Sequence, residues 1–328
     1  MRIDITEYEK RYTFELEKVT QLCGQNVVKK SYIIESLKRY FSTYKYREER
    51  NKWRNNVKVD DKLVGRKFFT LLSVSGMEEI LMMLKLSKQS LMPEYMEHMI
   101  QTINCQKHLD IINDEVGKIF QIMNEDMKKL GAVELSYTMS DVWNMVQKAS
   151  VVGYDETILE DKSNYEILLI FLNLLEKVIE ANPRKMLVII ENIDHLISRE
   201  EYKKIVIKLQ KIGIRYDIYF VLSTSIDGYV CCDQEFFQGI TVFGDVDFQM
   251  PQFDEILKYI QYYYPYNKKI DEKRLQDNLV DIIQKIGQKK YLPSVEENVI
   301  CKLINQSLML SEKWEDTVNE LEISFLET

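Results

Sequence analysis

Gly24-Gln25-Asn26-Val27-Val28-Lys29-Lys30-Ser31 follows a strand-like run, TFELEKVTQL, and precedes a helix-like run, YIIESLKRYF. A phosphate-binding loop has the form G-x-x-x-x-G-K-[ST] between a strand and a helix. Gly24, Lys30 and Ser31 fall in register, and Lys29 stands where the second glycine belongs. Loop glycines let the backbone take positive φ and come close to phosphates. A lysine there carries a conformational cost and sets a bulky side chain beside the anion. Two adjacent lysines at a helix N-terminus still suit an anion. The stretch predicts a phosphate-loop scaffold whose loop can keep a phosphate or nucleic-acid contact without closing on a nucleoside triphosphate.

A second motif lies far downstream. The apolar run Met186–Ile190 ends in Glu191-Asn192-Ile193-Asp194. A carboxylate after an apolar strand orients Mg²⁺ in nucleotide hydrolases, where the usual pair is Asp-Glu. Asn192 replaces the second acid and cannot act as a general base, so hydrolysis is not expected. Glu191 and Asp194 could equally cap a turn or helix.

The fold expected around these motifs is α/β. Phe68–Val74, Met186–Ile190 and Ile218–Leu222 are apolar on both faces, as buried parallel strands are. Phe14–Leu22, Thr241–Phe248 and Val133–Thr138 are weaker strand candidates. Helical patterns at Ser31–Tyr44, Ser163–Ala181 and Ser198–Ile212 separate them. The last opens on a capping box, Ser198 with Glu201, and stops at Gly213. Strands alternating with helices indicate a parallel sheet. Two segments break the alternation. Met77–Leu130 is almost wholly helical, with Pro93 opening its second helix and Ser140–Ala149 as its expected partner. From Gln252 the chain reads as helices only, near 252–264, 271–286, 293–310 and 312–325. The reading is a degenerate P-loop NTPase-like parallel sheet with a helical insertion lobe and a C-terminal all-helical extension. The head would span 1–75 and 132–250, the lobe 76–131, and the extension 251–328.

Composition narrows the functions. The chain has 328 residues, 45% hydrophobic and 29% charged, with 11 glycines and 5 prolines. Average usage would give roughly 23 and 16, so long uninterrupted helices are expected. No apolar run approaches the roughly 20 residues that span a bilayer, and MRIDITEYEK carries no secretory pattern. Five cysteines without CxxC spacing fit reduced thiols in a cytoplasmic protein and argue against a structural zinc. The histidines, His98, His108 and His195, lack the i, i+4 spacing of metal catalysis.

Net charge is −8, so any contact with nucleic acid needs a concentrated basic patch, a bound cation, or both. Tyr44–Lys67 supplies one: Lys45, Arg47, Arg50, Lys52, Arg54, Lys58, Lys62, Arg66 and Lys67 against four acids, a local balance of +5. Tyr44, Tyr46 and Trp53 are interleaved. That mixture suits sequence-independent contact with phosphates, and equally suits a solvated loop. In the helical lobe, Asp114, Glu115, Glu125 and Asp126, with Asn113 and Asn124, offer oxygen ligands for Ca²⁺. A charged helix face explains them as well. Tyr262-Tyr263-Tyr264-Pro265-Tyr266 could stack bases or close a helix end. His195 after ENID suits packing or capping better than catalysis, and Cys231-Cys232 reads as a loop pair with no metal spacing.

The altered loop GQNVVKKS, the strand ending in ENID, the helical insertion and the all-helical tail together resemble the long form of the Csn-two family, adaptation proteins of type II-A CRISPR systems. The resemblance covers most of residues 1–250 in organisation, and the tail beyond about 252 matches the longer subtype. It implies a degenerate P-loop head, a helical leg and ring-shaped tetramers that encircle double-stranded DNA and hold its free ends. It also implies Ca²⁺ binding, no nucleotide, no hydrolysis, and work in spacer acquisition beside the adaptation integrase and the effector nuclease. Lys29 and Lys30 match the altered loop and Glu191 the degraded acidic motif. The function expected is a non-catalytic, sequence-independent double-stranded DNA-end binder. An active ATPase of DNA-repair or ABC-like type and an interaction scaffold are the competing readings.

Overall fold

Short alternating strands and continuous apolar strands build two different sheets. The computed structural model describes residues 1–7, 10–42, 56–87, 90–127, 158–244, 246–265, 270–287 and 294–310, with isolated positions between 128 and 157. The first elements are β1 (Arg2–Glu7), β2 (Lys10–Glu15), β3 (Val19–Cys23) and α1 (Val27–Phe41). Next come β4 (Val57–Val59), β5 (Lys62–Leu63), β6 (Thr70–Val74), α2 (Met77–Met83), α3 (Leu91–Ile100) and α4 (Ile103–Met127). Then follow α5 (Asn164–Ala181), β7 (Met186–Glu191), α6 (Arg199–Arg215), β8 (Ile218–Ser223), β9 (Ile240–Phe243) and β10 (Asp247–Gln249). The chain continues through α7 (Phe253–Tyr263), α8 (Glu272–Ile282) and α9 (Val295–Ser307).

The larger sheet has the order β10-β9-β3-β8-β7-β6. Its five strands from β9 to β6 run parallel, and β10 is antiparallel to β9. β3 and β9 are buried at every position, and β7 along Met186–Ile190, as strands covered on both faces must be. The smaller sheet, β2-β1-β4-β5, is antiparallel throughout. One apolar core joins it to α1 and the larger sheet through Ile3, Ile5, Phe14, Ile33, Phe41, Phe69 and Leu187. A second core joins Cys23, Ile240 and Val242 to the C-terminal helices through Ile260, Leu279, Ile300 and Ile304.

The structure corrects several expected boundaries. Phe14–Leu22 is two strands in two sheets, because Leu16–Lys18 turns the chain and Thr20 Oγ1 accepts from Glu17 N there at 3.0 Å. Thr241–Phe248 is likewise two strands, β9 and β10. α1 opens at Val27 and not at Ser31, because Asn26 accepts from Lys29 N at 3.0 Å and caps the helix. The strand expected from Phe68 begins at Thr70. α6 keeps its capping box but runs through Gly213 to Arg215. β1, β4 and β5 had no counterpart in the sequence reading. The expected strand 133–138 and helix 140–149 lie almost wholly outside the described residues, and the helix 312–325 wholly so.

The chain divides into two compact units, Met1–Gly76 with Arg184–Thr328, and Met77–Pro183. The helical unit begins where the lobe was expected, but it extends past 131 to take in α5. There α5 packs with α2 and α3, and Asn182 Nδ2 donates to Glu94 Oε1 at 3.2 Å. The C-terminal helices belong to the unit that holds the sheets.

Candidate nucleic-acid interface and the loop after β3

The loop is shaped by a close crossing. Gly24 has φ +97°, and a Cβ placed there would lie 2.3 Å from the Phe243 carbonyl oxygen. Asn26 N donates to that same oxygen at 3.0 Å. The end of β9 therefore lies directly against the loop. Lys29 is not turned outward: its Nζ donates to Gly244 O at 3.0 Å and to Asp247 Oδ1 at 2.8 Å. Val28 stands 80% exposed beside it. Ser31 is exposed on α1.

Lys30 is buried, with 1% of its surface exposed. Its ammonium donates to Thr224 O and, at 3.3 Å, to Ser225 Oγ, just beyond the end of β8. Burial pushes its pKa down, opposed by the nearby Cys23 and Asp194. Asp194 is buried also, and its Oδ2 accepts from Ser225 N at 2.6 Å and Ile226 N at 2.8 Å. The acid thus fixes the loop after β8 that in turn receives Lys30. Glu191 Oε1 accepts from Lys38 Nζ and from Ser75 Oγ, both at 2.9 Å. Asn192 takes the left-handed conformation, φ 56°, between that acid and a single 3₁₀ turn holding Asp194. Gly24, Lys30, Glu191 and Asp194 all lie at the carboxyl ends of the parallel strands. The lysines there are directed at the chain's own acceptors.

The sulfur chemistry is quiet. Burial pushes the Cys23 thiol up to about 11 and the Cys231 thiol up to about 12, and carries Cys232 well above its ordinary value. These three stay protonated at neutral pH and are poor nucleophiles.

The basic stretch is split. Lys45, Arg47, Arg50, Lys52 and Arg54 lie outside the described residues. Lys58 is exposed on β4 and Lys62 on β5, joined by a two-residue turn in which Asp60 and Asp61 take φ of 48° and 62°. Arg66 and Lys67 are exposed just ahead of β6. The Ca²⁺ candidates sit on one helix, α4, all exposed. Asp114 and Glu125 are about 16 Å apart along its axis at 1.5 Å per residue. Glu115 pairs with Lys118 at 2.7 Å, and Asp126 with Lys129. These four residues do not fit a single ion, and no metal-holding group of three such side chains occurs among the described residues. His195 is exposed, and Tyr262 is 80% exposed at the end of α7.

The acceptors that receive the two lysines were missed by the sequence reading. Gly244 O and Thr224 O are main-chain atoms, and Asp247 lies 218 residues from Lys29. Only Asn26, a cap-forming residue three before Lys29, carried a local signal.

A mixed α/β fold with two sheets, carrying an altered loop after β3, defines the class, and known families place it. The family model for CRISPR-associated protein Csn2, subfamily St, matches residues 5–316, and the chain belongs to that family. The crystal structure of Stu0660 of Streptococcus thermophilus has the same fold: TM-score 0.84 at 21% identity, covering 100% of this chain and 99% of that one. The SmcHead bound to the C-winged helix domain of ScpA gives a TM-score of 0.41 at 11% identity over 76% of this chain and 94% of that one, too slight to carry a reading. Among curated protein sequences none matches this chain. No helix among the described residues is long and apolar enough to cross a membrane.

Proposed function

We propose that this protein is a non-catalytic, sequence-independent binder of double-stranded DNA ends, acting in the cytoplasm in CRISPR spacer acquisition and antiviral defence. In this reading it forms a ring-shaped homo-oligomer, a tetramer, and works with the adaptation integrase and the effector nuclease. Its family membership supplies the context. The observation that carries the DNA reading is the concentration of nine cations in 45–67, a local +5 within a chain of −8. Such a patch lets a protein of net negative charge meet a polyanion. The fold is read as a degenerate P-loop head. Lys29 and Lys30 directed at Asp247, Gly244 O and Thr224 O support a loop that holds no nucleotide.

The test is binding to linear and to closed circular duplex across a salt series. Preference for the linear form, with affinity falling steeply as salt rises, is expected. Equal affinity for the two forms, or indifference to salt, would overturn the reading. Phosphate release from ATP by the pure protein would overturn its non-catalytic part. Native mass measurement with and without linear duplex reports the tetramer. Calcium enters through the family resemblance alone. Asp114→Asn combined with Glu125→Gln is expected to leave Ca²⁺ affinity, measured by calorimetry, unchanged.

A further inference from the structure

The residue that breaks the phosphate-loop pattern is also the residue that closes the loop. Lys29 stands where the second glycine belongs, and its side chain crosses to the hairpin of β9 and β10. Phe243, the last residue of β9, pairs directly with Asp247, the first of β10. Three oxygens of this hairpin face the loop. Phe243 O accepts from Asn26 N at 3.0 Å, Gly244 O accepts from Lys29 Nζ at 3.0 Å, and Asp247 Oδ1 accepts from Lys29 Nζ at 2.8 Å. A main-chain amide and a lysine ammonium are the donors with which such a loop holds a phosphate. Here each is taken by an oxygen of the chain, and the charged one among them is a carboxylate.

The contact is more than a surface pair. Fully exposed ion pairs contribute little, but the Lys29 and Asp247 side chains are only 23% and 32% exposed, and Gly244 O adds a second bond. The backbone supports it. A Cβ on Gly24 would lie 2.3 Å from Phe243 O, so the loop and the end of β9 stay in contact. Asn26 Oδ1 accepts from Lys29 N at 3.0 Å and fixes where the Lys29 side chain leaves α1. The rest of this edge is neutralised from within as well. Lys30 Nζ donates to Thr224 O and Ser225 Oγ, and Glu191 accepts from Lys38 Nζ at 2.9 Å. Lys29 differs from Lys30 in one respect. Lys30 is 1% exposed, whereas the Lys29 pair reaches the surface, where a solute can meet it.

We infer that the β9–β10 hairpin is an autoinhibitory contact, in which the Asp247 carboxylate holds the place of a phosphate group on Lys29. The inference rests on the reading that the loop holds no nucleotide, and it assigns that property to one removable carboxylate, not to a lack of donors. Phe243 O keeps its amide whether or not Asp247 is charged. With the carboxylate gone, the Lys29 ammonium at the start of α1 is left to a polyphosphate anion from solution. A charge-assisted bond from an ammonium to a phosphate oxygen then replaces the one to the carboxylate.

The experiment is calorimetric titration of inorganic triphosphate into wild type, Asp247→Ala, and the double variant Lys29→Gln with Asp247→Ala. Asp233→Ala is the control. It strips the carboxylate from Lys203 on α6, an ion pair of 2.7 Å whose acid is 29% exposed. Asp247→Ala is expected to bind triphosphate on the order of 10-fold more tightly than wild type, the worth of one hydrogen bond to a charged group. The double variant and the control are expected to behave as wild type. Asp247→Asn keeps the side-chain shape and is expected to gain in the same direction, so the outcome does not depend on how well the alanine variant folds. No gain in either Asp247 variant overturns the inference and leaves the reading of an empty loop standing. An equal gain in the control overturns it, because any released lysine would then serve. A double variant that binds as Asp247→Ala does overturns it too, because Lys29 would not be the ligand. A wild type that binds triphosphate as tightly as Asp247→Ala overturns both the inference and the reading that the loop holds no nucleotide.

Discussion

Gly24 and Lys30 show what each conserved feature of a phosphate loop does when the chain supplies its own ligands. Gly24 needs its positive φ and its missing side chain for a protein contact, the Phe243 carbonyl, and not for a phosphate. Gly24→Ala would have to adopt a left-handed backbone and push β9 away from the loop. We expect it to destabilise the protein by about 3 kcal/mol, seen as a lower urea midpoint. A midpoint within experimental scatter of wild type would contradict this. Lys30→Ala is the usual probe of a nucleotide site, and here it would empty a buried space and orphan the Thr224 carbonyl. A loss of about 3 kcal/mol is expected, independent of added ATP. Lys30→Met fills most of the volume and should lose less. Equal losses for the two variants would show that packing is not the lysine's role.

At the scale of elements, the antiparallel sheet depends on a carboxylate inside a cage of cations. Asp4 on β1 accepts from Arg11 Nε at 2.9 Å and from Thr13 Oγ1 at 2.5 Å, with Arg2 at 3.6 Å. Burial alone would push its pKa up. The hydrogen bonds from Arg11 and Thr13 and the charges of Arg11 and Arg2 outweigh burial and hold it below the ordinary value. A carboxyl whose folded value lies below its unfolded one adds stability above about pH 4, and that stability is lost as pH falls through the folded value. Asp4→Asn should therefore be less stable than wild type at pH 7, by about 1–3 kcal/mol, with the gap narrowing below pH 4. Denaturant midpoints at several pH values check it, and a gap independent of pH would remove Asp4 from the account. This sheet was also the part of the fold least legible in the sequence. β7 and β8 announced themselves because strands buried along most of their length are written in continuous apolar residues, and β6, half-exposed at the sheet edge, did so through Leu71, Leu72 and Val74. β1, β4 and β5 carry charged or polar residues at alternate positions, Arg2, Asp4 and Thr6 in β1, Lys58 in β4 and Lys62 in β5, and β4 and β5 are only three and two residues long, so their composition is that of a loop. The turn at Asp60-Asp61 was readable only as two acids in a basic stretch, though aspartates tolerate the left-handed conformation it needs. The loop GQNVVKKS was legible as residues, but its closure was not. The atoms that close it are mostly carbonyls, which every residue possesses, brought there by the register of β8 and β9 against β3.

At the scale of the whole molecule, the C-terminal helices determine how many independent parts the sheet-bearing unit has. Read from sequence, the helical tail after residue 251 is an extension counted apart from the head at 1–75 and 132–250, though packed onto the same body. Its apolar residues instead complete the core that lies against β3 and β9: Ile260, Leu275, Leu279, Ile300 and Ile304 are wholly buried in one cluster with Cys23, Ile240 and Val242. Gln284, also buried, donates to Ile226 O at 3.0 Å in the loop after β8. The strand that carries the phosphate-type loop thus shares its core with the tail, and the two should unfold together. Ile304→Ala on α9 removes buried methyl groups at a site far along the chain from β3. It is expected to cost about 3 kcal/mol. In native-state hydrogen exchange, protection of the Gln21 and Leu22 amides should fall by the same free energy as that of the α9 amides. An independent tail would instead lose protection in α9 alone, with β3 unchanged. Equal loss would mean that any change in the loop, including one made by a ligand, is felt by the C-terminal helices through a common core.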